Sequence, residues 1–170
     1  MGEFWSRILP LAGYGNFPNQ LRSELLASAP RIFEENLLAS YILRTAPPGQ
    51  YIHNSTRAGI CVTAGGRLVI VASRHKRMDI PLTDPHWLRG ITITHDKIDR
   101  IVFKVDLGTY GTGKPGSSWE FRIRTKSAGR VKEIVEQASK DPDMGKESDP
   151  PAYVSYGAVT GPYPRAFEED

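Results

Sequence analysis

The chain has 170 residues, 39% hydrophobic and 24% charged, which suits one ordinary globular domain with a short appendage. No stretch approaches the 18 consecutive apolar residues a membrane-spanning helix needs, and the single cysteine, Cys61, excludes intramolecular disulfides and cysteine zinc clusters. The net charge of +3 is an average: residues 140–170 hold three basic and seven acidic side chains, −4, and the other 139 residues carry +7.

The first residues lack the basic and apolar pattern of a secretory signal, so an intracellular chain is expected, in the cytoplasm, the nucleus or at a membrane surface. Met1-Gly2-Glu3-Phe4-Trp5-Ser6 fits the loose myristoylation pattern and makes Gly2 a lipidation candidate, although Glu3 is an unusual residue after the glycine. Leu21, Leu25 and Leu26 predict a short helix over residues 21–29, with Ser28 placed to cap a further turn at Pro30. Residues 1–35 read as an N-terminal helical extension. From Glu35 two readings stay open: Phe33, Leu37 and Tyr41 have helical spacing, whereas Leu37 to Leu43 has the apolar density of a strand.

After Pro47-Pro48-Gly49 short strands alternate with turn residues. Ile60 and Val62 alternate with Cys61 and Thr63, Gly65-Gly66 signals a tight hairpin, and Leu68-Val69-Ile70-Val71 reads as a buried strand. Asp79 to Leu82, Ile91 to Thr94, Ile101 to Leu107 and Trp119 to Arg124 supply further strands. Ser127 is a candidate cap for a helix whose Val131, Ile134, Val135 and Ala138 fall on one face. Six or seven antiparallel strands closed by one amphipathic C-terminal helix make a mainly β, α+β domain over residues 36–139. Residues 140–170 are rich in Pro, Asp, Glu and Gly and are expected to be a disordered acidic tail.

Candidate chemistry is sparse. Gly108 to Pro115 resembles a phosphate-binding loop, but Pro115 stands where a magnesium-binding Ser or Thr is needed and a strand follows, so it reads as a glycine-rich hairpin loop. No histidine spacing suits a metal, Cys61 reads as an inert core residue, and no catalytic constellation is visible; a non-enzymatic protein without cofactor or metal is expected. Arg74-His75-Lys76-Arg77 is a basic cluster at an expected loop between strands, a candidate for binding a lipid headgroup or other anion, or simply a solvated tip. Arg122, Arg124, Lys126, Arg130 and Lys132 read as a solvated face. Nucleic acid is not an expected partner. Pro150-Pro151-Ala152-Tyr153 is a Pro-Pro-x-Tyr segment. Its prolines hold a preformed polyproline helix that fits the aromatic groove of a WW domain, and Tyr153 fills a second pocket.

Gly59-Ile60-Cys61-Val62-Thr63 followed by Arg67-Leu68-Val69-Ile70-Val71 resembles the second and third strands of a GRAM domain, and Asp79-Ile80-Pro81-Leu82 resembles its next short strand. With the Pro-Pro-x-Tyr tail, the layout is similar to the WW-domain-binding-protein family over residues 36–153. That resemblance implies a pleckstrin-homology-like bent antiparallel barrel closed by the helix at 128–139. It also implies an adaptor whose body binds a protein or lipid and whose tail recruits a WW-domain protein, such as a transcriptional coactivator or a HECT-type ubiquitin ligase. Two alternatives remain: a module targeting phosphoinositides or other anionic membrane lipids, and a subunit of a larger, viral matrix-like assembly.

Overall fold

The computed structural model describes residues 14–46, 49–73, 75–83, 88–110, 114–138 and 140, with the backbone of 153–154. Its elements in chain order are α1 (Asn19–Ala27), β1 (Ile32–Arg44), β2 (Tyr51–Val62), β3 (Arg67–Ala72), β4 (His75–Pro81), β5 (Ile91–Lys97), β6 (Arg100–Asp106), β7 (Ser118–Arg124), α2 (Ala128–Ala138) and β8 (Tyr153–Val154). All neighbouring strands are antiparallel, in the order β5-β6-β7-β1-β2-β3-β4-β8. Two meanders, β1–β4 and β5–β7, are thus joined where β1 pairs with β7. The result is a mainly β protein in which one antiparallel sheet curls into a half-barrel, accompanied among the described residues by helices α1 and α2. Among the described residues no pairing joins β5 to β4 or β8, so the ring of strands stays open.

Alternation decides which way each strand faces. Trp119, Phe121 and Ile123 of β7, Ile101, Phe103 and Val105 of β6, and Ile60, Val62, Leu68 and Ile70 of the β2–β3 hairpin share one core. Helix α2 adds Val131, Ile134, Val135 and Ala138 to it, as its 3.6-residue periodicity predicts. Ser127 marks the start of that helix, because its carbonyl accepts from the Val131 N–H. The hydroxyl that secures the turn belongs to Thr125, which accepts from the Ser127 N–H at 2.9 Å and donates to Glu34 Oε2 at 2.8 Å.

A second core lies on the opposite face of β2 and β3. Phe17 and Leu25 pack there with Cys61, Val69 and Val71, joined by Leu21 and Phe33. The β2–β3 hairpin is therefore buried on both faces, which explains its unbroken apolar run. Its turn closes through the Gly66 N–H to the Thr63 carbonyl, with Gly66 at φ +79°, where a side chain would be strained. The entering chain crosses the sheet closely: a Cβ at Gly59 would lie 2.8 Å from the Gly15 carbonyl oxygen.

Several expectations are corrected. Residues 32–44 form one long strand, so the β domain begins before residue 36 and the helical reading from Glu35 fails. A bulge between Glu34 and Leu37 disturbs the strand period, with Asn36 at φ +58° and its N–H donating to the Gly15 carbonyl. Ser28 ends α1 instead of starting a new turn, its hydroxyl donating to the Leu25 carbonyl at 2.7 Å. Strand β4 starts at His75, four residues before the expected strand. Tyr153–Val154, within the expected disordered tail, pairs with Asp79 and Met78.

Asp79 ties these parts together. Its carboxylate has no exposure and receives Arg67 Nε at 2.7 Å, Arg67 Nη2 at 2.9 Å and Lys76 Nζ at 2.8 Å. Arg67 also pairs with Glu24 on α1. Chiefly through its bond with Asp79, opposed by desolvation, the Arg67 guanidinium is held even more firmly protonated than usual. Removing one member of such a buried set strands a charge. Asp79→Ala is expected to lower stability by about 3–5 kcal/mol in urea denaturation; a loss under about 1 kcal/mol, the worth of an exposed pair, would refute this role.

Candidate functional site

The residues singled out in the sequence do not converge. Gly2, Arg74, Pro150 and Pro151 lie outside the described residues, and Tyr153 is described only as backbone. Of the basic cluster, His75, Lys76 and Arg77 lie in β4 and not in a loop. His75 is exposed, Lys76 is bonded to Asp79, and Arg77 is 4% exposed. A bulge in β4, opposite the Ile70–Val71 step of β3, moves the pairing from Met78 to Lys76 and makes Arg77 the inserted residue between the two pairs. Its charge therefore cannot be displayed at a loop tip.

Cys61 sits in the second core beside Val69, Val71 and Leu25. Burial pushes its thiol up to about 12, partly offset by the nearby Arg67 charge. Little thiolate forms at neutral pH, so the group is a poor nucleophile there. Among the described residues, no group of three or more His, Cys, Asp or Glu side chains is arranged to hold a metal ion, and no helix is long and apolar enough to cross a membrane.

A site that local patterning announces only in part lies on the outer face of the sheet. The alternation that sends Trp119, Phe121 and Ile123 inward sends Glu120, Arg122 and Arg124 outward. Across β7, Arg100 of β6 stands directly opposite Arg124. On the other side, β1 places Ser40 opposite Arg122, and β2 places Ser55 opposite Ser40 and Arg57 opposite Leu38. These strands line a shallow groove of about 310 Å³ that includes Ser40, Ser55, Arg57, Arg100, Arg122 and Arg124 and no carboxylate.

The arginines differ in their partners. Arg100 forms a forked pair with Asp96, Nε to Oδ1 at 2.7 Å and Nη2 to Oδ2. The bond to Arg100 holds the Asp96 carboxyl below its usual range. Arg122 bonds Glu120 Oε1 at 2.5 Å. Arg57 donates from Nη1 to the Asn36 carbonyl at 3.0 Å, placed there by the β1 bulge. Arg124 is exposed and has no hydrogen-bond or ion-pair partner among the described residues, and the same holds for the hydroxyls of Ser40 and Ser55. The alternation of residues 118–124 was a usable signal for Arg122 and Arg124. Nothing local signals Arg57 or Arg100, which arrive through strand order.

Compared with known proteins, the chain matches no family model and no curated protein.

The Cys61 environment yields a direct check. Native protein at pH 8 is expected to resist iodoacetamide for hours, whereas urea-unfolded protein alkylates within minutes, as read by intact mass. Equal rates would show that the thiol is not sequestered.

Proposed function

We propose that this chain is a non-enzymatic intracellular adaptor. Its body is a pleckstrin-homology-like domain of the GRAM type that binds a protein or lipid partner, and Pro150-Pro151-Ala152-Tyr153 in its tail recruits a WW-domain protein. The curled antiparallel sheet, its two joined meanders and the amphipathic helix α2 packed against β5 and β6 are compatible with that body. A lone, buried cysteine suits a reducing compartment.

The observation that carries the reading is the pairing of Tyr153–Val154 with Met78–Asp79 at the edge of β4. It brings the motif's tyrosine back to the folded body, so that partner recruitment and the body are coupled. A WW domain requires the segment as a free polyproline helix. A Tyr153 paired to β4 is not free for that groove, and the motif's apparent affinity falls in proportion to the paired fraction. The site is then a switchable one, with β4 and the WW domain competing for the same residues.

Calorimetry of the full chain against an isolated WW domain tests both parts. Tyr153→Ala is expected to abolish binding; unchanged binding removes the recruitment claim. Val154→Pro fixes φ and deletes an N–H outside the four-residue motif, which disfavours the β4 pairing. It is expected to tighten WW binding, and weaker binding would mean that the pairing does not compete.

A further inference from the structure

The outer-face groove contains an arrangement that the fold alone does not require. Residues directly opposite on antiparallel strands have Cβ atoms about 5 Å apart, and like charges in that relation destabilise a sheet. Arg100 and Arg124 are such a pair, and only Arg100 has a carboxylate partner. Four arginines line the groove against two bonded carboxylates, Asp96 and Glu120, so the lining and its bonded partners carry a formal surplus of two positive charges, with Asp99 acting on Arg100 from outside that set. Beside them Ser40 and Ser55, opposite each other on β1 and β2, hold hydroxyls without hydrogen-bond partners among the described residues.

We propose that this groove binds a phosphate monoester. At neutral pH such a group carries roughly −1.5 to −2, which matches the surplus. A phosphate diester carries a single charge and would leave part of it unanswered. Guanidinium forks suit phosphate oxygens in geometry as well as charge. Arg124 and Arg57 have free donors for this purpose, while Asp96 and Glu120 hold Arg100 and Arg122 in orientation. The serine hydroxyls can donate to the remaining oxygens. The bound anion would also cancel the repulsion between Arg100 and Arg124. This reading is independent of the tail motif and of the basic residues in β4.

The chemistry has two sources, a soluble phosphate ester and a lipid headgroup, and the experiment separates them. Full-length protein is titrated with glycerol phosphate by amide-resolved NMR, and floated with phosphatidylcholine vesicles containing either phosphatidic acid (a monoester) or phosphatidylglycerol (a diester). Saturable shifts confined to β1, β2, β6 and β7 with no vesicle binding assign a soluble ligand. Phosphatidic acid binding in excess of phosphatidylglycerol binding assigns a headgroup. Arg124→Gln is expected to weaken either by at least about fivefold, with Lys132→Gln on α2 as a control of equal charge change. Because Arg124→Gln removes a like-charge contact, its Tm should hold or rise, which separates lost binding from lost folding. Binding of neither form, equal binding of the two lipids without soluble binding, or equal effects of the two substitutions would overturn the proposal.

Discussion

A carboxylate with no access to water governs how this chain is assembled. Asp79 lies on the α1 side of β4, where a bare charge would be intolerable, and so two cations must come to it. Arg67 comes from the start of β3 and Lys76 from the start of β4. Their positions fix the register of the β3–β4 hairpin, in which Asp79 stands opposite Val69 and Arg67 opposite Pro81. Arg67 then reaches past Asp79 to Glu24, which orients α1 over the sheet. The helix shields the same apolar layer, Leu25 against Cys61, Val69 and Val71, that makes the site dry. Burial and pairing therefore support each other here: the layer raises the cost of an unpaired Asp79, and the pairing holds the helix that completes the layer.

The consequence is a sheet with two unlike halves. On β2 and β3, apolar residues are covered on both sides. Around β7 only the inward face packs, and the outward face is free to carry charge. The arginine groove occupies that second half, on rigid strands whose inward residues include Trp119, Phe121 and Phe103, all nearly or fully buried. Side chains fixed in this way hold their spacing without a ligand, which limits the ordering cost of binding one.

Much of the scaffold was legible because its periods are clean. Residues 101–107 and 119–124 alternate, 131–138 have helical spacing, and Gly65-Gly66 marks its turn. β1 was ambiguous for a physical reason: the Asn36 bulge inserts residues that break the two-residue period, and the remaining apolar spacing imitates a helix. The first half of β2, Tyr51 to Ser55, is mostly exposed and polar, so it lacks the apolar signal that marks its second half. Lys76 and Arg77 looked like a loop because charge is normally solvated; the partner that draws Lys76 into β4 is a carboxylate that local patterning cannot place. The groove was the least legible part. Arg57 and Arg124 are distant in sequence and meet only because β1 lies between β2 and β7.

Asp79 also protects the sheet whenever β4 is uncovered. Strand edges with unpaired backbone groups invite other chains to add to them, and an inward-pointing charge is a common safeguard. Tyr153–Val154 covers the edge opposite Met78–Asp79. Should that cover leave, β4 could not slip by one residue along β3 to suit a newcomer, because the slip would carry the Asp79 charge away from Arg67 and Lys76 to the apolar face. The same ion cluster that organises the interior thus holds the strand at this end of the sheet to a single register.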